Sequence, residues 1–159
     1  MEKLRYILDV QFLSYEELTE SQRQLIKLSQ DACLTSYSPY SHFAVGAALM
    51  FDNGETLSAS NQENAAFPSG LCAERSLLFY AKSYRPDANI DCIAISARKD
   101  GQMTQHPVTS CGACRQVIQE TAERQKLPIQ MLLACEKGAY LVNDARQLLP
   151  LQFNSQTMQ

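Results

Sequence analysis

Only two histidines occur among the 159 residues, basic side chains do not outnumber acidic ones, and no apolar run approaches the length of a membrane span. Each scarcity excludes something. A spanning helix needs roughly 18 uncharged apolar residues in succession, so no membrane partner is expected. Met1-Glu2-Lys3 leads into no signal-peptide core, which sets the expectation of a cytoplasmic protein. With 14 Lys and Arg against 17 Asp and Glu, a net charge of −3, the basic stripe of a phosphate binder is missing, and no nucleic-acid partner is expected. No internal repeat, low-complexity tract or linker divides the chain, so one domain is expected. What the sequence does have is six cysteines. A chain of this length buries roughly 70% of its unfolded surface and needs no disulfide staples. The cysteines therefore read as reduced thiols with a thiolate metal site among them.

Patterning predicts a succession of short elements. Leu4, Tyr6, Leu8, Val10 and Phe12 alternate with mixed residues, the period of a half-buried strand. From Thr19 the period becomes helical, and Thr19 with Gln22 has capping-box spacing. Ser38-Pro39-Tyr40-Ser41 breaks that helix. Ala44–Phe51 and Glu55–Ser60 form a strand pair around the turn Asp52-Asn53-Gly54. Helices follow over 72–84 and 111–124, with a strand over 91–97 and a polar loop over 99–110 between them. Strands over 129–135 and 139–142 come next, and Asp144 caps a last short helix ending before Pro150. Strands alternating with helices predict an α/β fold with a mixed sheet covered on both faces, a three-layer α-β-α sandwich.

Two short motifs carry chemistry. Cys72-Ala73-Glu74-Arg75 opens one helix and Cys111-Gly112-Ala113-Cys114-Arg115-Gln116 opens the next. Cysteines three apart on a helix point to one side and can share a metal ion, and Cys72 supplies a third sulfur if the two helix starts face each other. Three protein ligands leave one zinc position open, as catalytic sites do. Glu74 then stands two residues from a ligand as a proton carrier. Zn²⁺ with three thiolates sums to −1, a charge that helix N-termini beneath the sulfurs and the neighbouring Arg75 offset. A redox pair or a closed structural zinc site are the competing readings of Cys-x-x-Cys. A closed site needs a fourth ligand, and Cys33, Cys92 and Cys135 lie in apolar runs that make them core residues. His42 and His106 read as surface or structural residues.

The two motifs together resemble the zinc nucleoside deaminase signature, His/Cys-x-Glu followed by Pro-Cys-x-x-Cys. Further blocks extend the resemblance over residues 20–153: Ser38 to Ala48, Asn61-Gln62-Glu63-Asn64-Ala65-Ala66, and Leu148 to Phe153. Together they are similar to the small homotetrameric cytidine deaminases with an all-cysteine zinc site. That resemblance implies one Zn²⁺ per subunit held by Cys72, Cys111 and Cys114, with Glu74 as the proton-shuttling carboxylate and Arg75 bonded to the thiolates. It implies ribose contacts from Asn61 and Glu63, a pyrimidine contact from the Ala73 N–H, and base packing by Phe43 and by Phe153, the latter from a neighbouring subunit. The implied activity is hydrolytic deamination of cytidine or deoxycytidine in pyrimidine salvage. A deaminase of another aminopyrimidine nucleoside or nucleoside antibiotic is the alternative, and a catalytically silent zinc-binding domain the more distant one.

Three features depart from the family pattern. Ser110 stands where proline is usual before the first cysteine of the pair, and proline there stiffens the turn into the helix. Ser58-Ala59-Ser60 replaces a common Gly-Cys pair. Residues 1–18 precede the usual start, so the expected organisation is an N-terminal extension bearing a strand over 1–18, the deaminase domain over 19–153, and a tail over 154–159.

Overall fold

Thr19 starts the first helix as its spacing predicts: its side chain accepts from the Gln22 N–H at 3.2 Å, and its own N–H donates to the Gln22 side chain at 3.0 Å. The computed structural model describes residues 3–158. In chain order the elements are β1 (Gln11–Ser14), α1 (Glu20–Ala32), β2 (Phe43–Phe51), β3 (Thr56–Ser60), α2 (Ala73–Tyr84), β4 (Ile90–Lys99), β5 (Gln102–Met103), α3 (Gly112–Gln125), β6 (Gln130–Cys135) and β7 (Gly138–Val142). The sheet order is β1-β7-β6-β4-β2-β3, with the short β5 pairing on β4. Only β4 and β6 run parallel, joined by the α3 crossover, and the other pairs are antiparallel.

Alternation along the strands builds two cores. Leu49, Phe51, Ile93, Ile95, Met131 and Leu133 pack with Leu77 and Leu78 of α2 and Ile118 of α3. The opposite face carries smaller residues, Ala48, Ala94, Ala134 and Ala139, which pack with Leu25 and Ile26 of α1. The expected three-layer α-β-α sandwich with a mixed sheet is thus the observed fold. Among the described residues no helix is long and apolar enough to cross a membrane.

Small residues on the α1 side let that helix approach closely. A Cβ on Gly46 of β2 would lie 2.0 Å from the Ser29 carbonyl oxygen and 2.7 Å from the Cys33 nitrogen. Backbone cannot retreat as a flexible side chain can, so Gly46→Ala should lower unfolding free energy by about 3 kcal/mol, read from the urea midpoint. A midpoint like the parent's would mean that α1 moves away freely.

Three expectations are corrected. The strand expected over 4–12 is confined to Gln11–Ser14, and Leu4 and Ile7 lie exposed. Its partner β7 ends at Val142, with Gln11 opposite Leu141, so residues further back have no ladder to join. The short helix expected after Asp144 is a single 3-10 turn, Ala145–Leu148, capped by the Asp144 side chain. Pro150 disfavours helical geometry at Leu149, and four residues are too few for α-helix. The polar loop over 99–110 contains a hairpin, because Asp100 and Gly101 both adopt positive φ, 51° and 80°, and fold β5 back onto β4.

Candidate metal centre and active site

Cys72 and Cys111 are the N-cap residues of α2 and α3. Both helices lie on one face of the sheet, and their N-termini converge. The Cys72 and Cys111 sulfurs are 3.9 Å apart, and those of Cys111 and Cys114 3.4 Å. This is the one cluster of three metal-capable side chains found among the described residues, with all three sulfurs within 4.8 Å of one another. Cys114 is buried, Cys72 partly buried and Cys111 exposed, so the triad opens on one side.

The donor set fits zinc. Hydrogen bonding from Cys114, and then from Arg75, lowers the Cys72 thiol to about 5 against the effect of its burial. The Cys114 thiol is pushed up, first by its bond to Cys72 and then by burial. A divalent cation held by the three sulfurs would take the place of the proton so retained. Two helix N-termini and the Arg75 guanidinium, whose Nη2 is 3.9 Å from the Cys72 sulfur, supply positive potential against the thiolates. Glu74, in the first turn of α2, is 4% exposed. Burial holds its carboxyl above the ordinary range, which is how a carboxylate becomes able to give as well as take a proton.

Beside the triad is a cavity of about 500 Å³ whose lining includes Asn61, Glu63, Cys72 and Arg75. Asn61 is already much engaged. Its Oδ1 accepts from the Val45 N–H at 2.8 Å and from the Ser36 hydroxyl, and its Nδ2 donates to the Phe43 carbonyl at 2.9 Å. One amide N–H is left to donate into the cavity. Glu63 Oε2 accepts from the N–H groups of Tyr40, at 2.9 Å, and Ser41, at 3.3 Å. Bonds from Ser41 and Tyr40 hold this carboxyl below its ordinary value, and its second oxygen remains an acceptor.

Ala73 is fully buried as the first residue of α2, where helix N–H groups have no intrahelical acceptor. Of the candidates, Asn61, Glu63, Cys72 and Arg75 line this cavity, while Ala73, Glu74, Cys111, Cys114, Phe43 and Phe153 do not. Phe43 opens β2, and Phe153 is 61% exposed near the C-terminus, its carbonyl held by Gln116 Nε2 at 2.9 Å. Two aromatics to which the sequence reading assigned no role do line it. The rings of Tyr40 and Phe67 meet edge to face with centroids 5.6 Å apart. Tyr40 lies within the Ser-Pro-Tyr-Ser block, which was the available signal, whereas Phe67 sits in a polar stretch and had none. Cys33, Cys92 and Cys135 are buried, and both His42 and His106 are exposed.

The model of the cytidine and deoxycytidylate deaminase zinc-binding region matches residues 19–130. The chain belongs to this family. It is 37% identical over 136 residues to a cytidine deaminase of Halalkalibacterium halodurans, covering 86% of this chain and 96% of that one. Identity to a cytidine deaminase of Sporosarcina psychrophila is 36%, covering 85% of this chain and 93% of that one. Among solved structures, cytidine deaminase from Burkholderia pseudomallei superposes with a TM-score of 0.70 at 34% identity, over 86% of this chain and all of that one. The cytidine deaminase of Mycobacterium tuberculosis gives 0.65 at 26% identity, over 84% of this chain and 97% of that one. The family's zinc-binding region contains the whole cysteine triad, a cluster that could hold the zinc ion.

Proposed function

We propose that this chain hydrolyses cytidine and deoxycytidine to uridine and deoxyuridine with release of ammonia, using Cys72, Cys111 and Cys114 as zinc ligands and Glu74 as the proton carrier. The observation that carries the reading is a buried carboxylate with a raised pKa beside a three-thiolate centre, at a cavity that holds Asn61 and Glu63. Zinc supplies Lewis acidity that activates a water at neutral pH. Glu74 accepts one proton of the attacking water as oxygen bonds to C4 of the ring and passes it to N3. It then takes the second proton from the C4 hydroxyl and delivers it to the amine as the carbon–nitrogen bond breaks. One carboxylate serves as base and acid in turn, which a raised pKa favours.

Asn61 and Glu63 hold the sugar by opposite polarity. The remaining Asn61 N–H donates to one ribose hydroxyl, and the free Glu63 oxygen accepts from another. The Ala73 N–H donates to the pyrimidine carbonyl, and Phe43 packs on the base. Arg75 keeps the thiolates oriented. Phe153 lies on an exposed segment outside its own cavity, in keeping with a homotetramer in which it completes a neighbour's site. The role assigned is cytoplasmic pyrimidine salvage.

The test is zinc content together with ultraviolet-monitored loss of cytidine and deoxycytidine by the purified protein. Expected are one zinc per chain and turnover that chelation abolishes and zinc restores. Turnover confined to another aminopyrimidine nucleoside would move the substrate assignment, and no turnover of any would end it.

A further inference from the structure

Ser110 stands at the end of the polar loop, immediately before the N-cap Cys111, and is 3% exposed. Its backbone is pinned. The Ser110 carbonyl accepts from Arg115 Nε at 2.8 Å, while Arg115 Nη1 donates to the Leu148 carbonyl at 3.1 Å, tying the loop to the C-terminal turn. Its side chain is not pinned. The hydroxyl oxygen is buried and has no hydrogen-bond partner among the described residues. It lies beside the Glu74 carboxyl, close enough to favour that carboxyl's ionised form against the larger effect of burial, although no hydrogen bond of good geometry forms there. Buried hydroxyls of native proteins are nearly always bonded, so an open one beside Glu74 is available to a donor that reaches that carboxyl.

Resting on the deaminase reading above, we infer that Ser110 is a further substrate-contacting residue, whose hydroxyl accepts a hydrogen bond from the exocyclic amine and then from the departing ammonia. To give a proton to that amine, Glu74 must come within hydrogen-bond reach of it. Ser110 faces the same carboxyl from the loop side, so the amine is the substrate group brought nearest its oxygen. The overall reaction balances without the serine: nucleoside amine plus water gives nucleoside carbonyl plus ammonia, the carbon–nitrogen bond breaking as carbon–oxygen forms and Glu74 moving the protons. The hydroxyl forms no covalent bond. It recognises an N–H donor at position 4, a contact that a proline ring at this place could not make.

The test compares Ser110 with Ser110→Ala in zinc-loaded Glu74→Gln protein, where turnover about a thousandfold slower leaves binding to be read before the nucleoside is consumed. Calorimetry reads two ligands, cytidine and the pyrimidin-2-one ribonucleoside that lacks the 4-amino group. Loss of one hydrogen bond should weaken cytidine about five- to tenfold and the unsubstituted nucleoside by less than about twofold. The unfolding midpoint of ligand-free protein should stay level or rise, because the alanine removes an unbonded polar atom. Equal shifts for both ligands, or an unchanged cytidine affinity, overturn the assignment. A lowered midpoint with unchanged affinities gives the hydroxyl a structural role instead. Should the Ser110 protein bind neither nucleoside, the deaminase reading falls first and this contact with it.

Discussion

Glu74→Gln should bind a full complement of zinc, fold as the parent does, and turn over cytidine about a thousandfold more slowly. The substitution keeps the shape of the side chain and removes only its capacity to exchange a proton. Because Glu74 is buried and not a ligand, metal content and circular dichroism should be unchanged, which separates lost chemistry from lost structure. Turnover near the parent's value would end the assignment of Glu74 as proton carrier.

A second signature follows from linkage. Burial raises the Glu74 carboxyl above its ordinary 4.5, so folding disfavours the ionised form in metal-free protein. The stability this group contributes is fully present below the unfolded value and is lost as pH rises through the higher folded value. Glutamine does not titrate. The stability difference between parent and variant, read from urea unfolding in chelator, should therefore shift against the parent as pH rises across that window. A difference independent of pH would mean that the carboxyl is not held in this environment.

The two cysteines of the Cys-x-x-Cys pair should differ from one another in a way that their shared motif conceals. Both Cys111→Ala and Cys114→Ala should lose zinc, from one per chain towards none, because two remaining thiolates no longer close the site. In metal-free protein the two should part. Cys111 is exposed and Cys114 fully buried. Removing the Cys114 sulfur leaves a cavity at the start of α3 and should cost about 1–2 kcal/mol, whereas Cys111→Ala should stay within about 0.5 kcal/mol of the metal-free parent. Metal analysis with urea unfolding in chelator reads both. Full zinc retention by either variant would remove that cysteine from the ligand set.

Much of the site was legible because its signals are local. A Cys-x-x-Cys at the start of a helix puts two sulfurs on one side whatever the rest of the chain does. The capping box at Thr19 and the apolar run from Ala44 to the turn at Asp52-Asn53-Gly54 depend on neighbours within a few residues. The N-terminal alternation had the same form and failed beyond Gln11, because a strand needs a partner backbone and β7 ends too soon to supply one. Asp100-Gly101 was a readable hairpin signal inside an expected loop.

Determined by the sequence alone, then, were the layered α/β class, the thiolate character of the metal centre, and the carboxylate beside it, since each rests on residue type and spacing. Only the tertiary structure decided that the sulfurs of Cys72 and Cys111, distant in sequence, lie 3.9 Å apart, because that depends on two helices sharing one face of the sheet. It alone decided which atoms are already occupied. Asn61 retains a donor and Glu63 an acceptor because neighbouring backbone has taken their other bonding positions. The Ser110 hydroxyl is buried and meets no hydrogen-bond partner among the described residues. Hydrogen-bond saturation is a property of the surroundings, and those surroundings are assembled from segments that the chain order keeps far apart.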